Sequence, residues 1–256
     1  MRSVAQQSGY VSPDGLWLWN GSQWVPNSLV AQPIPGPAWI RPYEPARTRA
    51  MLVTIFLAAN IVGLLISMVF DVVDLGSHPP GSTAEIVVGL LALITVVAFY
   101  GTYIPAIVLF CMWVHRVVRN MPALGATDPR WSPAGAVGRC FIPFLNFAHP
   151  MSGTLEAWRG SDASRRYLDI SSRKAIRPPA VIVGWWTLWL VGALMSRISF
   201  QLARSGDAGT VAAGSVVDLA ASALLIGAAV MAVLVVREVT ARQERKNELI
   251  AAGQLA

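Results

Sequence analysis

The sequence predicts an all-α integral membrane protein. It has four transmembrane helices, an interfacial or re-entrant segment on the cytoplasmic side and a small N-terminal β-hairpin. Three observations predict this. Hydrophobic residues make up 54% of the chain and charged residues only 13%, whereas a water-soluble domain carries roughly 25% charged residues. Four stretches are long and apolar, near the roughly 20 residues that a helix rising about 1.5 Å per residue needs to cross about 30 Å of hydrocarbon. Finally, the Arg and Lys residues are distributed one-sidedly along the chain, which fixes an orientation.

The opening run "MRSVAQQSGYVSPDG" lacks the apolar core of a signal peptide, so the first span is expected to direct insertion. In "GLWLWNGSQWVP", Asn20 and Gly21 suit a type I′ turn, which needs positive φ at both central positions, and Trp17, Trp19 and Trp24 suit the flanking strands. Residues 1–25 therefore read as a Trp-rich cytoplasmic hairpin segment. Such a hairpin is marginal alone. Its tryptophans serve either as a partner-binding surface or as an aromatic cluster resting on the membrane surface. Residues 26–48 are proline-rich and read as a semi-rigid linker.

The spans are placed at 51–70, 86–114, 180–196 and 211–236, within a membrane domain of residues 49–236. The third is short, but a helix starting at Pro178 and Pro179 and running through Phe200 is long enough, because proline is tolerated in a first helical turn. Residues 237–256 read as a cytoplasmic C-terminal helix. Of the 20 Lys and Arg, four precede the first span and none lies between the first and second. Ten fall in the central loop 115–178, two between the third and fourth spans, and four after the fourth. Short basic loops stay cytoplasmic during insertion, so both termini and the central loop are expected on that side of the plasma membrane. The formal charge of +6 then implies anionic lipid as a partner, with Arg159, Arg165, Arg166, Arg173, Lys174 and Arg177 meeting headgroups. No nucleic-acid recognition motif is present.

Within the central loop, "RCFIPFLNFAHP" (139–150) has an apolar core of only about eight residues, too short to span. Pro143 and Pro150 would each break a helical hydrogen bond. The expectation is a bent interfacial segment with Phe141, Phe144, Leu145 and Phe147 embedded and Arg139 and His149 at the headgroups.

Polar groups inside lipid are costly and so mark candidate sites. Asn60, Ser67, Asp71 and Asp74 fall on one face of the first span, as a stripe ending in two carboxylates. In the fourth span Asp218 lies near Ser215 and Ser222, with Arg197 as its expected counter-charge. These residues read either as a cation or proton path or as a register-fixing pair with solvated neighbours. Cys111 and His115, at i and i+4, with Cys140 and His149, are the only grouping that resembles metal ligands, and the signal is weak. His78 has no partner in sequence. Both cysteines are expected to be reduced. In the fourth span Ala223 with Gly227, and Ala228 with Ala232, make small-xxx-small spacings that permit close helix contact.

The blocks "MWVHRVVRNMPALGA", "RWSPAGAVGRCFIPFLNFAHP" with "LEAWRGS", "GWWTLWLVG" and "VVREVTARQERK" occur in the order that resembles domain-of-unknown-function family 4328. That resemblance implies a bacterial, frequently actinobacterial, integral membrane protein with four spans and no assigned activity. The head "SPDGLWLWNGSQWVP" is similar to Trp-rich segments preceding such domains.

No hydrolase elbow, Walker loop, dinucleotide fingerprint or H-E-x-x-H motif occurs, so no enzyme and no cofactor are expected. Two function classes stand. One is a membrane-anchored binding or scaffold protein that engages an unidentified protein partner or anionic lipid through the basic loop and the Trp hairpin. The other is a small transporter or channel subunit, as a single chain or a homo-oligomer, using the acidic residues of spans one and four. Pro105 is the only proline inside the spans and no internal repeat is evident, whereas broken or repeated spans would favour transport.

Overall fold

A computed structural model describes residues 10–12, 17–19, 23–26, 41–74, 79, 81–126, 129–142, 144–147 and 149–255. The chain divides into two units, Met1–Arg41 and Pro42–Ala256.

In the first unit three short strands, β1 (Tyr10–Val11), β2 (Trp17–Trp19) and β3 (Trp24–Pro26), pair antiparallel in chain order. Trp19 stands directly opposite Trp24, with ring centroids 5.6 Å apart. Trp17 instead faces Pro26. The ladder contains a third strand, β1, that the sequence reading lacked. The expected turn at Asn20 and Gly21 lies outside the described residues.

The second unit is built on four long helices: α1 (Arg47–Asp74), α2 (Thr83–Asn120), α6 (Ala180–Ala203) and α7 (Ala208–Ala251). Each contains a stretch long and apolar enough to cross a membrane. Between α2 and α6 lie three short helices, α3 (Pro133–Gly138), α4 (His149–Gly160) and α5 (Ile170–Ala175), with 3₁₀ turns at Arg139–Phe141 and Leu145–Phe147. At α2 the cap is Ser82, which accepts from the Glu85 N–H, while the Glu85 carboxylate accepts from the Gly81 N–H. This is the reciprocal logic of a capping box. At α7 the Asp207 carboxylate takes both the N–H and the hydroxyl of Thr210, and Gly206 at φ 76° makes the tight link from α6.

Two helices overshoot a membrane. At about 1.5 Å per residue, the 38 residues of α2 and 44 of α7 reach about 57 and about 66 Å, against about 30 Å of hydrocarbon. The C-terminal 237–256 segment is therefore not a separate helix. No Gly or Pro interrupts the chain from Val211 past Val236 except Gly214 and Gly227, and α7 runs on unbroken to Ala251. Because α1 and α6 start, and α2 and α7 end, at one end of the bundle, the central segment lies there too. The positive charges make this the basic end.

Helices α6 and α7 pack most closely. A Cβ at Gly192 would come within 3.0 Å of the Leu225 side chain, and one at Gly214 within 3.3 Å of the Ala203 backbone. Ala221, Ala228 and Ala232 are buried along the α7 core face, while Ala223 is exposed. Small residues allow this approach, which in lipid depends on van der Waals packing rather than on the hydrophobic effect. The core concentrates towards the basic end, around Val53, Trp113, Val117, Met121, Ile182, Val236 and Val239.

The central segment is ordered by pairing rather than left as a loose basic loop. Leu168 N–H donates to the Gly125 carbonyl, closing a parallel bridge between Ala126 and Leu168. Gly125 is required there: its φ is 80°, and a Cβ would sit 1.9 Å from the Arg166 carbonyl oxygen.

Candidate functional site

The last two turns of α2 and the last four of α7 carry polar side chains at positions that face the core. Along α7, Ala232, Val236, Val239, Gln243 and Lys246 recur at i+4, i+3, i+4 and i+3 and are all buried. The seam that is apolar in the span turns polar beyond it. Each of these polar groups must find a partner, since an unpaired buried donor or acceptor costs about 1–3 kcal/mol.

They do so across the bundle. The Trp113 indole of α2 donates to the Thr240 hydroxyl at 3.0 Å, which donates in turn to the Val236 carbonyl. The Gln243 amide donates to the Val117 carbonyl at 2.8 Å and accepts from Asn120 at 3.2 Å. Asn120 also exchanges hydrogen bonds with both backbone groups of Glu44, just before α1. The Glu44 carboxylate is clamped by Arg116 and Arg119. Helix α4 joins through the Trp158 indole, which donates to Glu238 at 2.7 Å. The Lys246 ammonium donates to the Gly160 carbonyl at 3.2 Å, a cation at a helix C-terminus. Arg242 pairs with Asp162 at 3.0 Å and lies 4.1 Å above the Trp158 ring.

Next to this seam, Glu156 of α4 accepts from the Arg130 N–H at 2.6 Å and lies 3.7 Å from Arg173 of α5. Arg130 and Arg139 both sit over the Trp131 ring, at 4.7 and 3.7 Å. The 3₁₀ segment is held from the other side, where the Trp186 indole donates to the Phe147 carbonyl at 2.6 Å. Trp186 belongs to an aromatic run in which Phe110, Trp185, Trp186 and Trp189 succeed one another at 4.7–5.5 Å.

Electrostatics follow from this burial. Lys246 lies ten residues past Val236 and is fully buried; desolvation lowers it from 10.5 to about 8, Arg173 and Arg242 push it the same way, and Asp162 opposes. Burial also raises Glu156, against the pull of the Arg130 N–H and the nearby arginines. For Asp162 burial acts upwards, but the hydrogen bonds from Ser164 and the Arg242 partner outweigh it and hold the carboxyl low.

The residues singled out in the sequence fare unevenly. Asp218 and Arg197 do not meet. Ser199, in contact with Asp218 and donating to the Gly214 carbonyl at 3.0 Å, faces α7. Arg197 precedes it by two residues, about 200° around the helix, and is exposed. The expected counter-charge therefore points away from the carboxylate. Asn60 is buried and donates to the Thr102 hydroxyl of α2 at 3.3 Å, while Ser67 is half-buried. The side chains of Asp71 and Asp74 lie outside the described residues. Ser222 is buried and Ser215 half-buried.

Among the basic residues, Arg173 is not a headgroup contact. It is 3% exposed, its guanidinium donating to the Leu168 carbonyl at 2.6 Å and facing Glu156, because the Gly125–Leu168 bridge folds α5 inwards. Arg159 is half-buried and donates to the Ile176 carbonyl. Arg165, Lys174 and Arg177 are exposed, and Arg166 leans on Tyr167. Trp17 and Trp24 are exposed and Trp19 half-buried. Cys111 and Cys140 are free thiols. Among the described residues no group of three potential ligands could hold a metal ion, and the His78 and His149 side chains are not among those described.

Glu44, Asn120, Asp162, Gln243 and Lys246 escaped the sequence reading. A signal existed for two of them: continuing the i, i+3/i+4 count of α7 past Val236 lands on Gln243 and Lys246.

A family model described as a domain of unknown function (DUF4328) matches residues 81–241, from the start of α2 into the polar seam of α7. No curated protein and no solved structure matches. With four helices of membrane-crossing length and composition, this multi-pass membrane protein belongs to the DUF4328 family.

Proposed function

We propose that this chain is a plasma-membrane protein whose basic end, with both termini, faces the cytoplasm and serves as a binding or scaffold platform. The observation that carries the reading is the seam itself. Hydrogen bonds from α2, α4, α7 and the residues before α1 lock the basic end into one surface. A preformed surface binds without the ordering cost that a flexible loop would bear. The distribution of Arg and Lys supports the orientation.

Two features fit that surface to a membrane and a partner. Arg165, Arg166, Lys174 and Arg177 stand outside the seam and attract anionic headgroups, at about 1 kcal/mol per charge near the surface. Phe141, Phe144 and Phe147 are 63–86% exposed on the segment tied to Trp186, six residues into α6. This suits an interfacial segment dipping into the leaflet, where such side chains are at rest. The Trp19–Trp24 pair offers a separate aromatic contact for a protein partner.

The test has two arms. A periplasm-active reporter fused after Ala256 should stay silent, and a strong signal would reverse the orientation. In a pull-down from native membranes, the whole chain should retain a partner at stoichiometric yield; identical recovery by a chain lacking residues 1–48 would remove the Trp ladder from the interface, and no retained protein with either chain would end the scaffold reading.

A further inference from the structure

Beyond the seam, the loop after α4 and the last turns of α7 form an open cleft of about 380 Å³ lined by Ser161, Asp162, Ser164, Arg242, Arg245 and Leu249. Its charges do not balance. Two guanidiniums face one carboxylate, and the buried Lys246 ammonium lies within the field of the same carboxylate. Asp162 is already committed to Arg242 and to the Ser164 N–H. The Gly160 carbonyl takes only one of the three Lys246 donors. The Arg242 Nε is buried with no partner among the described residues, and Arg245 is exposed at the rim. Positive charge left under-compensated in this way, with one guanidinium nitrogen buried and unpartnered, is stabilised by an anion that brings its own acceptors.

We propose that this cleft binds a phosphate-class dianion, either free phosphate or a phosphomonoester. Arg242 and Arg245, at i and i+3 on one helix face, offer forked donors suited to phosphate oxygens. Ser161 and Ser164 line the same wall, but their hydroxyls already donate to the Ala157 carbonyl and to Asp162, so the donors left for an anion are those of the arginines. A dianion matches the excess of positive charge, which a monoanion such as chloride does not. The two arginines lie six and nine residues past Val236, about 9 and about 14 Å beyond the last apolar turn. That height admits both a soluble phosphate and the headgroup of a phosphomonoester lipid. The inference rests on the basic end being a binding platform, but its test requires neither an orientation nor a protein partner, so either reading can fail without the other.

The experiment uses the full chain in phosphatidylcholine nanodiscs, titrated with inorganic phosphate by calorimetry at constant ionic strength set with chloride. Phosphate should bind in the millimolar range or tighter, and Arg245→Ala should weaken it about tenfold. Because Arg245 is exposed, the variant should melt like the parent when phosphate is absent. A second set of discs containing phosphatidic acid assigns the source. Loss of phosphate binding there means the lipid headgroup fills the site, and unchanged binding means a soluble ligand. Absence of binding in neutral discs, or Arg245→Ala binding as tightly as the parent, overturns the proposal.

Discussion

Along the single helix α2, Ile94 and Val97 are 63% and 64% exposed, whereas Trp113 and Val117, four to six turns further on, are sealed completely. The two halves answer to different solvents. In lipid an exposed isoleucine costs nothing, so the apolar half needs no dense core and is joined by small-residue contacts such as Gly192 and Gly214 on α6 and α7. At the basic end water returns, and with it the drive to bury Trp113 and Val117 and the penalty for every polar group buried with them. The side-chain hydrogen bonds between α2 and α7 lie accordingly at that end, through Trp113, Asn120 and Gln243. The membrane half carries the apolar length that crosses a bilayer, and the basic half carries the hydrogen-bonded seam.

The strongest way to break this contrast is at the centre of the seam. Gln243→Ala leaves the Val117 carbonyl without its donor, deprives the Asn120 amide of one acceptor, and opens a cavity where a fully buried side chain stood. The expected loss is about 2–4 kcal/mol in denaturant unfolding from mild detergent. A loss below about 0.5 kcal/mol would mean that the basic end is not locked by this seam.

Lys246 sharpens the contrast through pH. Its folded pKa of about 8 lies below the ordinary 10.5, so between these values the unfolded chain binds the extra proton and stability rises with pH. Below about pH 8 both states are protonated and this contribution is flat. The full rise is on the order of 3 kcal/mol. Lys246→Met keeps the volume and removes the charge. It should be neutral or stabilising at pH 7, by up to about 3 kcal/mol, and should abolish the difference in slope between pH 8 and 10.5. Parallel pH profiles for parent and variant would show that the ammonium is hydrated rather than sealed.

The membrane half was legible in the sequence because its signal is additive: the 51–70 and 211–236 stretches lie inside α1 and α7. The seam was not, because its residues come from separate parts of the chain. Glu44 meets Arg116 and Asn120 only after the bundle closes, and no local pattern marks it. Charge counting treated Arg173 like its neighbours Lys174 and Arg177, although one is buried against Glu156 and the other two are exposed. A sum over charges predicts an orientation but carries no information on which face each side chain takes. For the same reason Arg197 looked like a partner for Asp218: the two were assigned by depth, and the angle around α6 separates them.

The 139–147 segment lies at the seam's edge and has one described anchor to α6, the Trp186 indole on the Phe147 carbonyl. Trp186→Phe removes that donor and keeps an aromatic ring. Expected are a loss of about 1 kcal/mol and faster reaction of a cysteine placed at position 144 with a membrane-impermeant thiol reagent. An unchanged labelling rate would show that the bilayer, not Trp186, holds the segment in place.

The smallest effect is expected inside the span, where Asn60 donates to Thr102 at 3.3 Å. The pair looks like the seam in miniature, since it is a buried amide bonded across α1 and α2. Its surroundings differ. Thr102 already donates within its own helix, to the Ala98 and Phe99 carbonyls, so losing Asn60 orphans no backbone group. Helices separated in a bilayer also find other partners for a lone amide, and measured interhelical hydrogen bonds in membranes average only about 0.6 kcal/mol. A double-mutant cycle of Asn60→Ala and Thr102→Ala should therefore give a coupling of about 0.6 kcal/mol, against the 2–4 kcal/mol expected at Gln243. A coupling above about 2 kcal/mol would place a water-excluded polar lock within the span, and the division between a loosely joined membrane half and a locked basic end would fall.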